Sequence, residues 1–259
     1  MRLYFRYAAM HVRSAMQYRA DFLAMLFGQL FVVGSNFLAI VLLFDRFGSL
    51  PGYTFGEVAM CFAVIGLSYV FSDCFCRGFD VFSRLIVRGE FDRLLVRPRT
   101  LVLQVLGSDF GAVRGGFRIL YNAVIMVVAV IALDTVWTPM RALTVVMMVL
   151  GGTGIMSGVF ILGATMCFYT VQGLEVINVF TDGGREISSY PLTIYNQWIR
   201  RFFTFIVPFG VVNYLPLRYV MGHSDSAALA FLPLVGMLFL IPALAVWYLG
   251  ARKYVSTGS

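Results

Sequence analysis

The chain has 259 residues, of which 60% are hydrophobic and 13% charged, and it carries a net charge of +7. A mean hydropathy of +0.84 means more apolar side chains than one water-soluble core can bury, so the composition excludes a soluble globular domain. The apolar runs extend for about twenty residues without alternation, which argues against a β-barrel and predicts an all-α membrane protein.

The first 21 residues are predicted to form an amphipathic helix on the membrane surface. Helical spacing over residues 2–19 puts Arg2 and Arg6 on one face and Leu3 and Tyr7 on another. Arginines among the head groups and aromatic rings dipping inward are typical of such a surface helix. The alternative is a cytoplasmic extension of the first membrane span.

Six apolar runs are long enough to cross a bilayer core of about 30 Å as helices. We place these spans at residues 22–44, 57–76, 119–136, 142–169, 202–217 and 228–250. In the fourth span, Gly154 and Gly158 permit close helix contact, either within the chain or between two chains. Four prolines in the last two spans predict bent or broken helices, and residues 208–230 are predicted to contain short re-entrant or outer-surface helices.

The basic residues predict an orientation. If the N-terminus is cytoplasmic, 17 of the 20 fall in cytoplasmic segments, including Arg185, Arg200 and Arg201 before the fifth span. Both termini are therefore predicted to be cytoplasmic. The arginines follow the membrane boundaries, so they indicate contact with anionic membrane lipids and give no support for nucleic-acid binding.

The segment 77–118, between the second and third spans, is the longest strongly charged part of the chain. Within it, Gly89 predicts a break, and Pro98 predicts the stop of a short helix with acidic residues in its first turn and arginines at its end. Phe91, Leu94 and Leu95 form the apolar edge of this helix. Such a surface fits a docking site for a soluble partner, and a solvated loop is the alternative.

The sequence contains no evident catalytic motif. Asp73 precedes Arg77 by four residues, which predicts a local ion pair at the membrane edge rather than a proton relay. The only lysine is Lys253, and no P-loop sequence precedes it, so the chain is predicted not to hydrolyse ATP itself. Cys74 and Cys76 lack a second Cys or His pair, and we predict no metal or other cofactor on this chain.

Two stretches resemble a known family of transporters. GEFDRLLVRPRTLVLQVLGSD (89–109) has the Gly, the acidic-aromatic pair, the Leu-Leu and the Arg-Pro of one bacterial branch, and REISSYPLTIYNQWIRRFFTFIVPFGVVNYLP (185–216) has its Tyr-Pro, Pro-Phe and Asn-Tyr-x-Pro. Together with six spans, an N-terminal surface helix and a charged cytoplasmic helix, the chain resembles the membrane (permease) subunit of an ATP-binding-cassette exporter of type 2. The likeness runs essentially from end to end.

The resemblance implies that the charged helix between spans two and three is a coupling helix, seated in a groove of a separate ATPase subunit. Its apolar side chains would anchor in that groove while its charges set the register, and the residues implied are Arg84, Arg88, Glu90, Phe91, Asp92, Arg93, Leu94 and Arg97. ATP and Mg would be bound by the ATPase subunit. A second permease subunit, identical or related, would complete the complex in a bacterial inner membrane.

The resemblance also implies a substrate path at the interface between two permease subunits, lined by spans one and five. Polar or aromatic residues on those spans are its candidates, with helix-packing hydrogen bonds as the alternative role: Gln29, Ser35, Asn36, Trp198, Asn213 and Tyr214.

Two other function classes remain open at this point. A membrane scaffold or assembly factor would need the charged helix to bind something other than an ATPase. An ion-driven secondary transporter is disfavoured, because it would place unpaired ionisable groups at mid-span or show two related halves, and neither is seen in the sequence.

Overall fold

The computed structural model describes residues 19–48, 52–109, 112–170 and 179–254. The predicted surface helix at residues 1–21 lies outside the described residues, except for its last three positions, which begin α1. The α-helices of the described chain are α1 (Arg19–Phe47), α2 (Phe55–Asp80), α3 (Phe82–Val87), α4 (Glu90–Leu95), α5 (Leu101–Leu106), α6 (Ala112–Ala132), α7 (Pro139–Met166), α8 (Gly184–Ser188), α9 (Gln197–Arg201), α10 (Phe209–Val212), α11 (Tyr214–Val220), α12 (Ala227–Phe231), α13 (Val235–Leu238) and α14 (Leu240–Arg252).

Several stretches of the described chain are long and apolar enough to cross a membrane. There are five of them, or six if a pair of shorter helices bent by 77° is counted as one span: Phe27–Phe47, Phe55–Val87, Gly115–Ala132, Pro139–Met166 and Ala227–Arg252, with Gln197–Ile206 and Phe209–Val220 as the bent pair. The prediction of an all-α membrane protein is confirmed.

The centre of the bundle is the pair α2 and α7, which are far more buried than the other spans. Small residues bring their backbones close together. Ser68 Oγ donates a hydrogen bond to the Val149 carbonyl at 3.1 Å, and Ser72 Oγ donates to the Thr153 carbonyl at 2.9 Å. Hydrogen bonds of this kind hold helices together where lipid provides no hydrophobic driving force.

The glycines of α7 pack inside the chain. A side chain at Gly154 would lie 2.9 Å from the Gly236 carbonyl oxygen, and one at Gly158 would lie 2.5 Å from the Phe239 ring. Both partners belong to the last membrane span, α12–α14. Of the two packing modes that the sequence left open for Gly154 and Gly158, the structure therefore shows the one within a single chain.

The two ends of the bundle are conveniently named after residues on α2. The tyrosine end holds Tyr53, just before α2, and the arginine end holds Arg77, near its last turn. At the tyrosine end, the Phe44 and Phe55 rings lie 5.8 Å apart, so α1 finishes where α2 begins. At the arginine end, Phe91 lies 5.0 Å from Tyr254, two residues beyond α14.

Residues 179–196 run alongside α2 toward the tyrosine end. The Arg185 guanidinium lies 4.8 Å from the centre of the Tyr69 ring, and the Thr193 hydroxyl hydrogen-bonds the Tyr53 hydroxyl. Tyr53 and Tyr69 are sixteen positions apart, which corresponds to about 24 Å of helix. Residues 179–193 therefore cross most of the bundle as an irregular segment of short helical turns.

Residues 197–220 start and finish at the tyrosine end. The first arm follows Thr193, and at the end of the second arm the Val220 carbonyl accepts a hydrogen bond from Thr135 Oγ1 at 2.9 Å. Thr135 follows α6 at the same end, where the Ala132 carbonyl closely approaches Gly56. The predicted fifth span at 202–217 is therefore not one straight helix: it is a pair of short arms bent by 77°, both of which have an end at the tyrosine end.

Local chemistry explains the reversal. The first arm ends in a π-helical turn, Phe202–Ile206, and Val207 is extended with φ −114° and ψ 91°. Pro208 follows and has no N–H to continue a helical hydrogen-bond ladder. Phe203 and Phe209, on either side of the break, are buried against the middle of α7, so the apolar content that resembled a span fills the core instead.

The reversal changes the position of two arginines. Arg200 and Arg201 lie on the exposed first arm, in the half of the bundle near the tyrosine end, and not with the arginine-rich segments as predicted. Without these two arginines, most of the 20 basic residues still lie in the segments predicted to be cytoplasmic, so the predicted orientation is unchanged.

Candidate functional site

The segment that joins α2 to α6 contains the three short helices α3, α4 and α5. Gly89 separates α3 from α4 and has a positive φ of 64°, a conformation that glycine adopts at little cost. The predicted break at Gly89 is confirmed. Helix α4 has Glu90 and Asp92 in its first turn and Arg93 in its last, as predicted, and it ends at Leu95, three residues before Pro98.

The apolar side of α4 faces the interior of the permease. Phe91 is fully buried at 0% exposure, and its ring lies 5.2 Å from Phe82, 5.4 Å from Phe168 and 5.0 Å from Tyr254. Leu94, one turn further along, is buried in the same cluster. Residues from the end of α7 and from beyond α14 therefore cover Phe91 and Leu94 within this chain, and the contact of these two side chains with a partner's groove stays a prediction.

The outer side of the same segment is basic. Val87 and Val96 are 65% and 83% exposed and Leu95 is partly exposed, which leaves a small apolar patch. Five arginines surround this patch, all of them exposed: Arg84, Arg88, Arg93, Arg97 and Arg99. We call these eight residues the basic knob. Guanidinium groups around a small apolar centre suit an acidic, partly apolar groove.

The two acidic residues of α4 lie between the knob and the aromatic cluster. Glu90 and Asp92 are half-buried. Burial raises the pKa of the Tyr254 phenol, and the nearby Asp92 carboxylate raises it further. Asp92 therefore lies where α4 meets the C-terminal residues, and its charge does not face outward freely.

Close contacts fasten the knob to α2. Gly78 directly faces the Val105 carbonyl of α5, at a separation that leaves no room for a side chain. Gln104 Nε2 donates hydrogen bonds to the Leu94 carbonyl at 3.1 Å and to the Arg99 carbonyl at 3.0 Å, which holds the loop after α4. The knob is thus built on a rigid support at the arginine end.

A buried charge cluster lies next to this support on α2. Asp73 is 1% exposed, and its two carboxylate oxygens accept from Arg77 Nη1 at 2.5 Å and from Arg118 Nη1 at 2.7 Å. Arg77 also lies 3.6 Å from Asp109. The predicted Asp73–Arg77 pair is confirmed. Sequence reasoning missed Arg118, which is 45 residues away and belongs to α6.

The six candidate path residues are not brought together. Trp198 is 78% exposed on the first arm, and Ser35 is exposed on α1. Gln29 and Asn36 are half-buried on α1 and line two different spaces that adjoin at Tyr121, and Tyr214 is half-buried on α11. Asn213 is 2% exposed, and its Nδ2 donates to the Ser188 carbonyl at 2.7 Å and to the Cys61 carbonyl at 3.4 Å. These bonds are of the helix-packing kind that was the alternative for Asn213, and its place on a substrate path stays a prediction.

Comparison with known proteins adds one match to this geometry. The profile of the ABC-2 family transporter protein matches residues 30–258, which is most of the chain. Comparison with curated proteins and with solved structures gives no match. A multi-pass helical bundle and a family match over nearly its whole length lead to one conclusion: this chain is a membrane permease that belongs to the ABC-2 transporter family.

Proposed function

We propose that this permease is the membrane subunit of an ATP-driven exporter, and that it docks onto a separate ATPase subunit through the basic knob. Membership of the ABC-2 family supports an ATPase partner in general. In the proposed complex, a second permease subunit completes the membrane part, and ATP and Mg are bound by the ATPase pair. The chain itself has no catalytic role in this scheme.

One observation carries the proposal: an exposed basic surface rests on a rigid aromatic support at the end of two central spans. The outward residues Arg84, Arg88, Arg93 and Arg97 would contact the ATPase, with Leu95 and Val96 at the centre of the contact. Phe91 and Leu94 would act from inside, because their packing makes α4 move together with the bundle. Glu90 and Asp92 would position α4.

The structure offers a route for motion from the knob to the spans. The Arg77–Asp109 pair connects α2 with the residue that follows the knob's support, and Asp73 connects α2 with α6 through Arg118. Buried ion pairs of good geometry are costly to separate, so the linked elements move as one unit. Displacement of the knob when ATP binds would then shift α2 and α6 together.

The same proposal assigns the orientation. The knob must face the compartment that holds the ATPase, so the arginine end is cytoplasmic and the tyrosine end is outside. The last described residues before the C-terminus are at the arginine end. Cytoplasmic termini in a bacterial cell membrane are consistent with this arrangement and with the excess of arginines near that end.

The test is co-purification in mild detergent with candidate ATPase subunits. We expect an ATPase to accompany the wild-type permease and to be lost, at least about tenfold, from a Val96→Asp plus Arg93→Glu variant, since both side chains are exposed. Val136→Asp is the matched control, because Val136 is 77% exposed at the tyrosine end.

Two results would contradict the proposal in different ways. Retention of the ATPase by the knob variant would move the docking site elsewhere on the permease. Absence of any ATPase from wild type under all conditions would remove the motor, and the scaffold or ion-driven alternatives would then replace the exporter.

A further inference from the structure

A polar chamber lies inside the bundle, between α1, α2, α6 and α8. At its wall two guanidinium groups lie near the Tyr69 ring, with Arg118 at 5.4 Å and Arg185 at 4.8 Å from the ring centre. The other polar residues that line it are Asn36, Tyr121, Asn122, Glu186 and Ser189. Two arginines against one aromatic ring are an unusual concentration of positive charge for the interior of a membrane protein.

The two arginines differ in how their charge is balanced. Arg118 is paired with the buried Asp73 at 2.7 Å. Within the described part of the chain Arg185 forms no ion pair, and the carboxylate nearest to it in sequence, Glu186, is exposed at the rim of the chamber. Tyr69 is eight residues from Arg77, so Arg185 reaches about 12 Å into the bundle from the arginine end. A guanidinium at that depth is stabilised by an anion.

Three buried polar atoms at the chamber have no hydrogen-bond partner among the described residues: Arg118 Nε, the Tyr121 hydroxyl and Asn122 Oδ1. The first two can donate a hydrogen bond, and the third can only accept one. Asn122 itself is 2% exposed and is fixed through its Nδ2, which donates to the Arg118 carbonyl at 2.8 Å. Buried groups of this kind normally have partners. Asn122 Oδ1 is packed against Gly66, where a side chain would lie 2.2 Å from it, so the Arg118 and Tyr121 donors are the ones that suit a ligand, and they call for an acceptor oxygen.

An apolar groove of about 360 Å³ adjoins the chamber between α1 and α6. Tyr121 lines both spaces, so they meet at its ring. Apart from Tyr121 and Gln29, the groove is lined by aliphatic and phenylalanine side chains: Leu23, Phe27, Leu30, Phe117, Leu120 and Val124. An apolar groove that leads to a cationic chamber is complementary to a ligand with an apolar tail and an anionic head group.

We propose that the groove and chamber together bind one membrane phospholipid with an anionic head group. The chamber encloses about 30 Å³, which admits one oxygen-sized group, so a phosphate oxygen would enter while the rest of the head group stays at the rim. That oxygen accepts from Arg185, Arg118 Nε and the Tyr121 hydroxyl. The rest of the head group lies at the rim, and one acyl chain occupies the groove. The site is loaded from the membrane and does not depend on the proposed exporter function.

The first test compares three probes on the delipidated wild-type permease in detergent: phosphatidylglycerol, diacylglycerol and inorganic phosphate. A ligand that binds only the folded state raises the thermal midpoint of unfolding, and the rise increases with the ratio of ligand concentration to Kd. We expect phosphatidylglycerol to raise it and the other two to leave it nearly unchanged. If diacylglycerol raised the thermal midpoint equally, the chamber would not bind the phosphate group. If inorganic phosphate raised it equally, the site would bind a free anion and would not need an acyl chain. Either result overturns the proposal.

The second test uses variants. Arg185→Gln removes a charge that has no ion-pair partner among the described residues, and Leu120→Trp fills the groove without touching the head-group site. Each is expected to weaken phosphatidylglycerol binding about tenfold or more. Arg201→Gln is the matched control, since it removes an exposed arginine outside the chamber. Unchanged binding in both Arg185→Gln and Leu120→Trp would also overturn the proposal. If Arg185→Gln does not fold, Leu120→Trp and the wild-type probe comparison still decide it.

Discussion

The two ends of this permease are built by opposite means. At the arginine end, Phe82, Phe91, Phe168, Trp247 and Tyr254 pack as one aromatic cluster that joins α3, α4, the end of α7 and the C-terminal residues. At the tyrosine end, the chain bends by 77° between two short arms, which place Phe203 and Phe209 in the core and are joined to the bundle by hydrogen bonds from Thr135 and Asn213. A dense aromatic cluster resists deformation, whereas two short arms joined at a non-helical break separate at lower cost.

This difference suits the arginine end to transmitting motion and the tyrosine end to opening. An end that receives force from a partner must move as a unit, and the basic knob stands on such a unit. An end that opens and closes needs elements of low local stability, and the bent segment 197–220 supplies them. The predictions below test whether the contrast in construction is also a contrast in energetics.

The largest effect is expected at the aromatic cluster. Phe91→Ala removes a fully buried ring and should lower the free energy of unfolding by about 3–5 kcal/mol, as is typical for phenylalanine truncation in a core. Denaturant titration of the detergent-solubilised protein measures this loss. Val96→Ala, on the same segment but 83% exposed, is the control and should change stability by less than about 0.5 kcal/mol. Equal effects of the two would mean that α4 is not clamped to the bundle.

The next effect is expected at the buried charge cluster. Asp73→Asn leaves Arg118 without its carboxylate and should cost about 3 kcal/mol of unfolding free energy, because an uncompensated buried charge remains. Adding Arg118→Gln removes that charge, so the double variant should be more stable than the single one. Denaturant titration of the three proteins provides the comparison. A double variant less stable than Asp73→Asn would show that the cluster is held by packing rather than by charge.

Sequence reasoning succeeded where the controlling signals are local. Gly89 and Pro98 mark the limits of α4 by backbone chemistry alone, and Asp73 and Arg77 are one helical turn apart. Long apolar runs identified α1, α2, α6 and α7 because lipid requires about twenty such residues per crossing.

Sequence reasoning failed where the deciding contact is distant along the chain. The apolar edge of α4 gives no sign of which surface covers it, and its cover, Tyr254, lies more than 160 residues away. The run 202–217 has the hydropathy of a span, yet the Tyr53–Thr193 hydrogen bond, across 140 residues, shows that the chain has already crossed before it. The chamber of Arg118, Arg185 and Tyr69 likewise combines residues from three separate elements.

The smallest effect, and the one most informative about the tyrosine end, is expected for Asn213→Ala. It removes hydrogen bonds to the Ser188 and Cys61 carbonyls and should cost about 1–2 kcal/mol. Cys61 is fully buried, so its thiol reports opening of this region, and a maleimide should label it roughly tenfold faster in the variant. Tyr214→Phe, at the neighbouring half-buried position, is the control.

If Asn213→Ala altered transport while leaving both stability and Cys61 labelling unchanged, Asn213 would belong to a substrate path after all. If labelling accelerates as expected while Phe91 remains buried and the knob keeps its partner, the tyrosine end opens independently, and the contrast between the two ends is one of energy as well as of construction.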